Sequence, residues 1–310
     1  MTKQLANFIA AHEPTLEAAL QRWLPLSDRA GAEPLNEALR YAVFPGGKRL
    51  RPMLTLIGTK LVDGDLQRAL PAACALEFLH TSSLILDDLP AMDDADLRRG
   101  RPTVHLACGE NMALLASLAL FNQAYALLAH TACQSGAPKI VEKLMAEAAH
   151  CLGADGMIGG QAVDLEMRSG SVGPQALASR NLKTTALMRL TMTAGAIACG
   201  AAEAEVAALA RFGECLGLTY QVCDDLLDEL GDSALMGKPA WQDARHLRPT
   251  FVAELGIEGA QRLALSLAEE GRSALRERFG DGHEVRLLTD TMEQVLSGVV
   301  KLDLAASLVN

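Results

Sequence analysis

Five of the ten residues from Asp87 to Asp96 are aspartates, and Arg98 and Arg99 follow in the same stretch, DDLPAMDDADLRRG. Like charges this close repel one another unless something positive sits among them. A second acidic group lies in YQVCDDLLDELGD, which holds Asp224, Asp225 and Asp228. Asp224 and Asp228 stand at i and i+4 on one face of a helix, Asp225 and Asp228 at i and i+3, and Gln221 lies one turn earlier. Carboxylates without His or Cys neighbours are hard oxygen donors, which suit Mg²⁺ or Mn²⁺ rather than zinc or iron. Mg²⁺ keeps water ligands and bridges one or two carboxylates to substrate phosphates, so the pattern points to a phosphate-bearing ligand.

The basic residues fit that ligand. FPGGKRLRPML sets Lys48, Arg49 and Arg51 after a Gly-Gly turn and before an apolar run; Arg98 and Arg99 follow the first aspartates; Lys183 and Thr184 lie in NLKTTAL, and Lys238 in LMGKPA. Arginine matches phosphate oxygens bidentately, and lysine acts as a mobile point charge. Any one of these alone reads as a solvated surface charge; the set reads as diphosphate clamps interleaved with metal ligands. GDSALMGKP is not a Walker A loop, because its glycines are one residue too far apart and Pro239 stands where Ser or Thr is required. GADGMIGG is not a dinucleotide fingerprint, and GxSxG and HExxH are absent.

Helices must position these groups. Half of the 310 residues are hydrophobic but only 4% are aromatic, and alanine and leucine, both strong helix formers, supply most of the apolar mass. Proline-free runs at 103–137, 139–173, 175–238 and 250–310 are long enough for full helices. NMALLASLALFNQAYALLAH is apolar nearly all round. In CALEFLHTSSLILDD, His80 and Asp87 are seven residues apart and share a stripe, and Pro90 should end the helix just after Asp88. Asp93 then meets Asp87 and Asp88 only around that bend. Convincing strands with hairpin signals are absent, and no linker or repeat appears, so the expectation is one all-α domain of ten or more helices over 1–310.

A net charge of −10 argues against a nucleic-acid partner, and no Lys/Arg-rich block or charge-free run of 18 apolar residues marks a membrane anchor. Seven scattered cysteines, without a CxxC pair or zinc spacing, fit reduced thiols in a cytoplasm.

Together these motifs resemble the trans-isoprenyl diphosphate synthases, in particular bacterial short-chain members. GGKRLRP, LEFLHTSSLILDDLPAMDDADLRRGRPTVH, GMIGGQAVDL, LKTTAL and YQVCDDLLDELGD…GKP occur in that family's order and at about its spacing. The resemblance implies an all-α isoprenoid-synthase barrel of antiparallel helices around a deep cavity, in a homodimer. It implies that Asp87, Asp88, Asp93, Asp224, Asp225 and Asp228 hold three Mg²⁺ ions, Mn²⁺ being the alternative, against an allylic diphosphate. Arg98, Lys183, Thr184, Gln221 and Lys238 match further positions for that diphosphate, with Lys183, Gln221 and Lys238 in the catalytic set. Lys48, Arg51, His80 and Arg99 match the site for isopentenyl diphosphate. The implied reaction is head-to-tail condensation by ionisation, attack and proton loss, with the departing diphosphate as base.

The departures are Thr185, where the family often has glycine, Leu118, where many members are acidic, and Arg248 in place of a more usual lysine. None removes a metal ligand. Ser82 and Ser83, five and four residues before Asp87, are small where C15-forming members often carry an aromatic; Ser82 lies about 7.5 Å up the helix axis. With small residues as the floor, the expected product is C20, geranylgeranyl diphosphate; a neighbouring helix near 111–130 is the other source of a stop. The alternatives are a farnesyl diphosphate synthase, a catalytically silent partner subunit and a terpene cyclase. GGKRLRP and Arg99 speak against the cyclase, which has no second diphosphate to hold.

Overall fold

The computed structural model describes residues 2–167, 174–229 and 250–306, with side chains at 2–166, 181–229 and 250–297; Lys238 and Arg248 lie outside the described residues. Twelve helices and one two-stranded hairpin occur among them: α1 (Lys3–Trp23), α2 (Glu33–Val43), α3 (Leu50–Leu61), α4 (Leu66–Asp88), β1 (Leu97–Arg98), β2 (Arg101–Pro102), α5 (Val104–Cys108), α6 (Glu110–Cys133), α7 (Pro138–Leu152), α8 (Met157–Met167), α9 (Pro174–Ala198), α10 (Glu203–Glu229), α11 (Phe251–Phe279) and α12 (His283–Ala306). The all-α expectation holds, and each long proline-free run supplies helices. The chain divides into two compact units, residues 8–146 with 194–201, and residues 1–7, 147–193 and 202–310.

In the first unit α4 is the central element, packed by α3 and α6. Its N-terminus is capped by the Asp65 carboxylate, which accepts from the Gln67 N–H at 2.9 Å. The run Ala69–Leu79 is buried apart from Leu70, so this helix shows no polar stripe until its last turns. It ends at Asp88, as Leu89-Pro90 requires. By length and composition α4 and α6 are both apolar enough to cross a membrane. In α4 that follows from burial, since 72% of its apolar window lies inside the protein. The α6 window is only 39% buried and leaves Leu114, Leu115 and Leu118 exposed.

The hairpin is the one element that period-2 reasoning could not find, because its strands are two residues each. Arg98 pairs with Arg101, and the tip residues Arg99 and Gly100 have φ of +54° and +74°. Two central residues at positive φ make a type I′ turn, whose twist suits a tight antiparallel pair.

The second unit is built around α10, which packs on α11 and α12. Alpha-carbon closeness brings α8 and α10 onto α9. A Cβ at Gly160 of α8 would run into the Lys183 backbone, one at Gly213 would stand 2.7 Å from the Met188 carbonyl oxygen, and one at Gly217 would stand 2.9 Å from Thr185 Cα. Moving four residues forward on α10 moves three back on α9, so the two run antiparallel in backbone contact. Arg189 of α9 adds a charged tie, donating from Nε to Glu147 at 2.7 Å and from Nη1 to Glu214 of α10 at 2.8 Å. All seven cysteines are free, and burial first of all pushes the thiols of Cys74, Cys151 and Cys223 up to about 12.

Gly213→Ala tests the close packing. Alanine favours a helix by about 1 kcal/mol over glycine, but overpacking against a backbone costs about 1–3 kcal/mol. The clash should win, lowering the midpoint of chemical denaturation; an unchanged or raised midpoint would mean that α9 and α10 are not in backbone contact there.

Candidate functional site

Asp87 and Asp88 complete α4, where the helix dipole is negative and no basic residue occupies the last turn. Both are buried. The chain then bends back: the Asp93 N–H donates to the Asp87 carbonyl at 2.9 Å, and the Ala95 N–H to the Asp88 carbonyl at 3.2 Å. The bend thus brings the Asp93 backbone back to the first pair, which the sequence left open. Arg98 answers the charge. Its Nε donates to both Asp88 carboxylate oxygens at 3.0 Å and its Nη2 to Oδ1 at 2.5 Å. Burial works against the charge on the Arg98 guanidinium, but Asp88, followed by Asp87 and Asp93, more than offsets it. Burial still pushes the Asp88 carboxyl above the ordinary carboxylate range, with Arg98 opposing and Asp93 adding to the shift.

His80 feels the charge of two of the residues expected with it, Arg51 and Arg99. This half-buried imidazole is held well below its usual value, first by burial and then by the positive charges of Arg51 and Arg99, with Arg98 and Arg49 behind them. Arg51 comes from α3, Arg99 from the hairpin tip and His80 from α4. The Arg99 guanidinium lies against Gly47, where a Cβ would meet it at 2.6 Å, and the next residue, Lys48, is exposed. A neutral histidine among cations is an arrangement for an anion. Beside it, a small cavity of about 130 Å³ is lined among others by Tyr41, Phe44, Thr81, Asp88, Arg98 and Arg99.

In the second unit, half-buried Lys183 and Thr184 sit on the turn of α9 that passes between Gly160 and Gly217. Gln221 follows Gly217 by one turn and donates from Nε2 to Asp225 at 3.0 Å. The structure gives Asp225 a place of its own, 1% exposed: its other oxygen accepts the N–H of Phe251, the first residue of α11, at 2.9 Å. The first N–H groups of a helix have no partner within it, and this carboxylate supplies one; the helical segment it caps is short, because the backbone leaves helical geometry at Gly256. Asp225 therefore ties α10 to α11, about 100° round the helix from half-buried Asp224.

Ser82 lies in a seam between helices. It is 1% exposed in the contact between α4 and α6, where its Oγ donates to the Ser117 carbonyl at 3.0 Å and the Ser117 Oγ donates back to the Ser82 carbonyl at 3.1 Å. Ser83 is half-buried and donates to the His80 carbonyl at 2.8 Å. Helical spacing locates a residue along an axis but not the neighbour on its flank.

Sequence reasoning also passed over the residues that hold the arginine hairpin. Tyr41 donates its OH to the Pro102 carbonyl at 2.7 Å, and Arg101 stacks over the Tyr41 ring at 4.3 Å. Thr103 donates to the Ala95 carbonyl at 2.8 Å, and His105, buried, shares that carbonyl at 3.0 Å. The signal was present in RGRPTVH, as polar residues beginning an apolar run.

Among the described residues no group of three or more His, Cys, Asp or Glu side chains is gathered as a ready-made metal cage. The donor chemistry nevertheless fits Mg²⁺, which takes one or two carboxylates and completes its shell with water and phosphate.

The sequence model of polyprenyl synthetase matches residues 32–280. Geranylgeranyl pyrophosphate synthase 11 of Arabidopsis thaliana is 39% identical over 275 residues, 87% of this chain and 76% of that protein. The structure of an FPP/GFPP synthase from Zymomonas mobilis superposes with a TM-score of 0.80 at 31% identity, covering 94% of this chain and 99% of that one. That of geranylgeranyl pyrophosphate synthetase from Pyrococcus horikoshii gives 0.82 at 26% identity, covering 95% and 98%. Acid-ended apolar helices, arginines brought to them and this likeness over most of the chain lead to one conclusion: the chain belongs to the polyprenyl synthetase family, prenyltransferases that act on isopentenyl and allylic diphosphates and are generally metal-dependent.

Proposed function

We propose that this prenyltransferase makes geranylgeranyl diphosphate, C20, by condensing isopentenyl diphosphate head-to-tail with allylic diphosphates. The observation that carries the reading is the positive charge that Arg51, Arg99 and Arg98 bring to bear on His80, about two helical turns before the carboxylates that end an apolar helix. Lys48, Arg51, His80 and Arg99 bind isopentenyl diphosphate. Arg98, Lys183, Thr184, Gln221 and Lys238 bind the allylic diphosphate. Asp87, Asp88, Asp93, Asp224, Asp225 and Asp228 are the residues that would hold Mg²⁺, three ions by family expectation; of these, Asp225 serves chiefly by fixing Gln221 and α11. When bound, the cation supplies positive charge to a departing diphosphate.

In the reaction the allylic C1–O bond breaks and its electron pair leaves with the diphosphate. Lys183 and Arg98 stabilise the charge that develops there. The isopentenyl double bond attacks C1, held by the cations around His80, and the proton then lost is taken by the diphosphate. The products are a longer allylic diphosphate and pyrophosphate. Apolar helix surface excludes water that would quench the cation.

The exposed apolar face of α6, with Leu114, Leu115 and Leu118, supports a homodimer in which a second copy covers it. Seven free cysteines support a reducing compartment, and we place the enzyme in the cytoplasm.

Incubation with isopentenyl diphosphate, Mg²⁺ and dimethylallyl, geranyl or farnesyl diphosphate tests the reading. Chromatography of the dephosphorylated products should show C20. A cyclic hydrocarbon means a cyclase, C15 a farnesyl diphosphate synthase, and no product a silent subunit. Chelation of the metal should abolish turnover, and Asp88→Asn or Lys183→Ala should each lower kcat by about 10²–10³.

Product length gives a second test. Phenylalanine at 83, which keeps some exposed surface, should shift the product toward C15. Phenylalanine at 82 should chiefly weaken the seam between α4 and α6, seen as a lower melting temperature, because it removes the serine pair and wedges the helices. C20 unchanged in Ser83→Phe would move the stop to another helix.

His80 gives a third. Its pKa is depressed in the folded chain, so at neutral pH it is uncharged, and it stays so as pH falls through the usual histidine range near 6.5. An anion among the same arginines offsets their repulsion. Inorganic pyrophosphate should therefore raise the pKa in an NMR titration; no shift would place the anion elsewhere.

A further inference from the structure

The three cations of GGKRLRP read alike in sequence, but the structure separates them. Lys48 is exposed and Arg51 half-buried near His80, whereas Arg49 between them is 3% exposed. The Arg49 guanidinium is held on every edge. Nε and Nη2 donate to the two oxygens of Glu17 on α1 at 2.7 and 3.3 Å; Nη1 donates to Glu77 on α4 at 2.7 Å; Nη2 also donates to the Val43 carbonyl at the end of α2 at 2.9 Å. The Glu77 side chain is only 4% exposed. Burial pulls the Arg49 pKa down, and the two carboxylates more than offset it.

The backbone of Arg49 is unusual as well. It stands at φ +49°, ψ 33°, left-handed for a residue with a side chain, at the N-cap of α3. Such a conformation costs on the order of a few kcal/mol and persists only where the surroundings over-determine it. The surroundings here are its own side chain and the Gly46–Gly47 turn. Gly46 passes so close to the guanidinium that a Cβ there would collide with it, and the Gly47 Cβ position is filled by Arg99.

Resting on the proposed function, we propose that Arg49 is a positioning residue for isopentenyl diphosphate: its buried clamp between Glu17 and Glu77 fixes the left-handed turn that sets Lys48 and Arg51 for the diphosphate. Arg49 does not itself reach the substrate. Buried ion pairs contribute little net stability against apolar replacements, so geometry is the more natural reason for this one. A turn held to within a fraction of an ångström keeps its cations in register; a loosened turn loses binding of the one ligand those cations serve.

Steady-state kinetics of Arg49→Lys separates this role from a structural one. Lysine keeps the charge but cannot bond Glu17 through two nitrogens and reach Val43 as well. The KM for isopentenyl diphosphate should rise about tenfold or more, with the KM for the allylic diphosphate and kcat at saturation within about threefold of the wild type. Loss of folding alone would lower kcat through the active fraction and leave both KM values in place. Glu17→Gln, at the more exposed end of the clamp, is the second variant should Arg49→Lys not fold, and should give the same split in smaller measure. Equal changes in both KM values, or an isopentenyl diphosphate KM within about twofold of the wild type in a folded variant, overturn the inference. A wild-type chain that condenses nothing overturns the proposed function instead.

Discussion

Carboxylates gathered at the negative ends of apolar helices are the constraint from which the site follows. A helix C-terminus carries about half a negative charge, and each adverse side chain there costs about 0.3–1 kcal/mol even at an exposed position. The last turn of α4 holds Asp87 and Asp88 and no basic residue; α10 carries Asp224, Asp225 and Asp228 close together, with Asp225 and Asp228 buried. Burial deepens the cost, as the raised Asp88 carboxyl shows. Two answers are built into the chain. Arg98 is delivered to Asp88 on a tight hairpin, and Asp225 is given the Phe251 N–H at the start of α11. A family that works on diphosphates with metal ions supplies the rest from solution.

Delivery of positive charge is therefore as much a part of the architecture as the acids. The hairpin carrying Arg98 and Arg99 is too short to hold itself and is fastened by Tyr41, Arg101, Thr103 and His105. The α9 turn with Lys183 and Thr184 is fastened by absence of side chains, at Gly160 and Gly217. One device uses polar side-chain bonds and the other close backbone packing, and both hold half-buried cations, Arg98 and Lys183.

Much of this was legible in the sequence. Periodicity left the return of Asp93 open, but the end of α4 at Asp88 followed from Pro90, and the all-α class from alanine, leucine and proline spacing. These are local properties of one chain segment. What spacing could not supply was the neighbour on the flank: Ser117 opposite Ser82, Phe251 opposite Asp225, Glu17 and Glu77 around Arg49. Ser82 and Asp225 were assigned by their place along a helix and are in fact buried in contacts with other helices. The hairpin escaped for another reason, since two-residue strands carry no alternation and only Arg99-Gly100 marks the turn.

The choice between arginine and lysine is itself informative once burial is known. Arg49 and Arg189 both bridge two carboxylates on different helices, and a planar, permanently charged fork is suited to that. Lys48 is exposed and Lys183 half-buried, and a flexible ammonium can follow a phosphate that moves or leaves. Arg98 falls between the two, bidentate on Asp88 yet with its side chain 39% exposed. A residue that neutralises a buried carboxylate and remains open to solvent is free to exchange that partner for another anion, whereas one sealed between two carboxylates is not. Within each unit the cations thus divide by their surroundings: Arg49 and Arg189 are fixed between carboxylates, whereas Lys48 and Arg98 keep exposed surface.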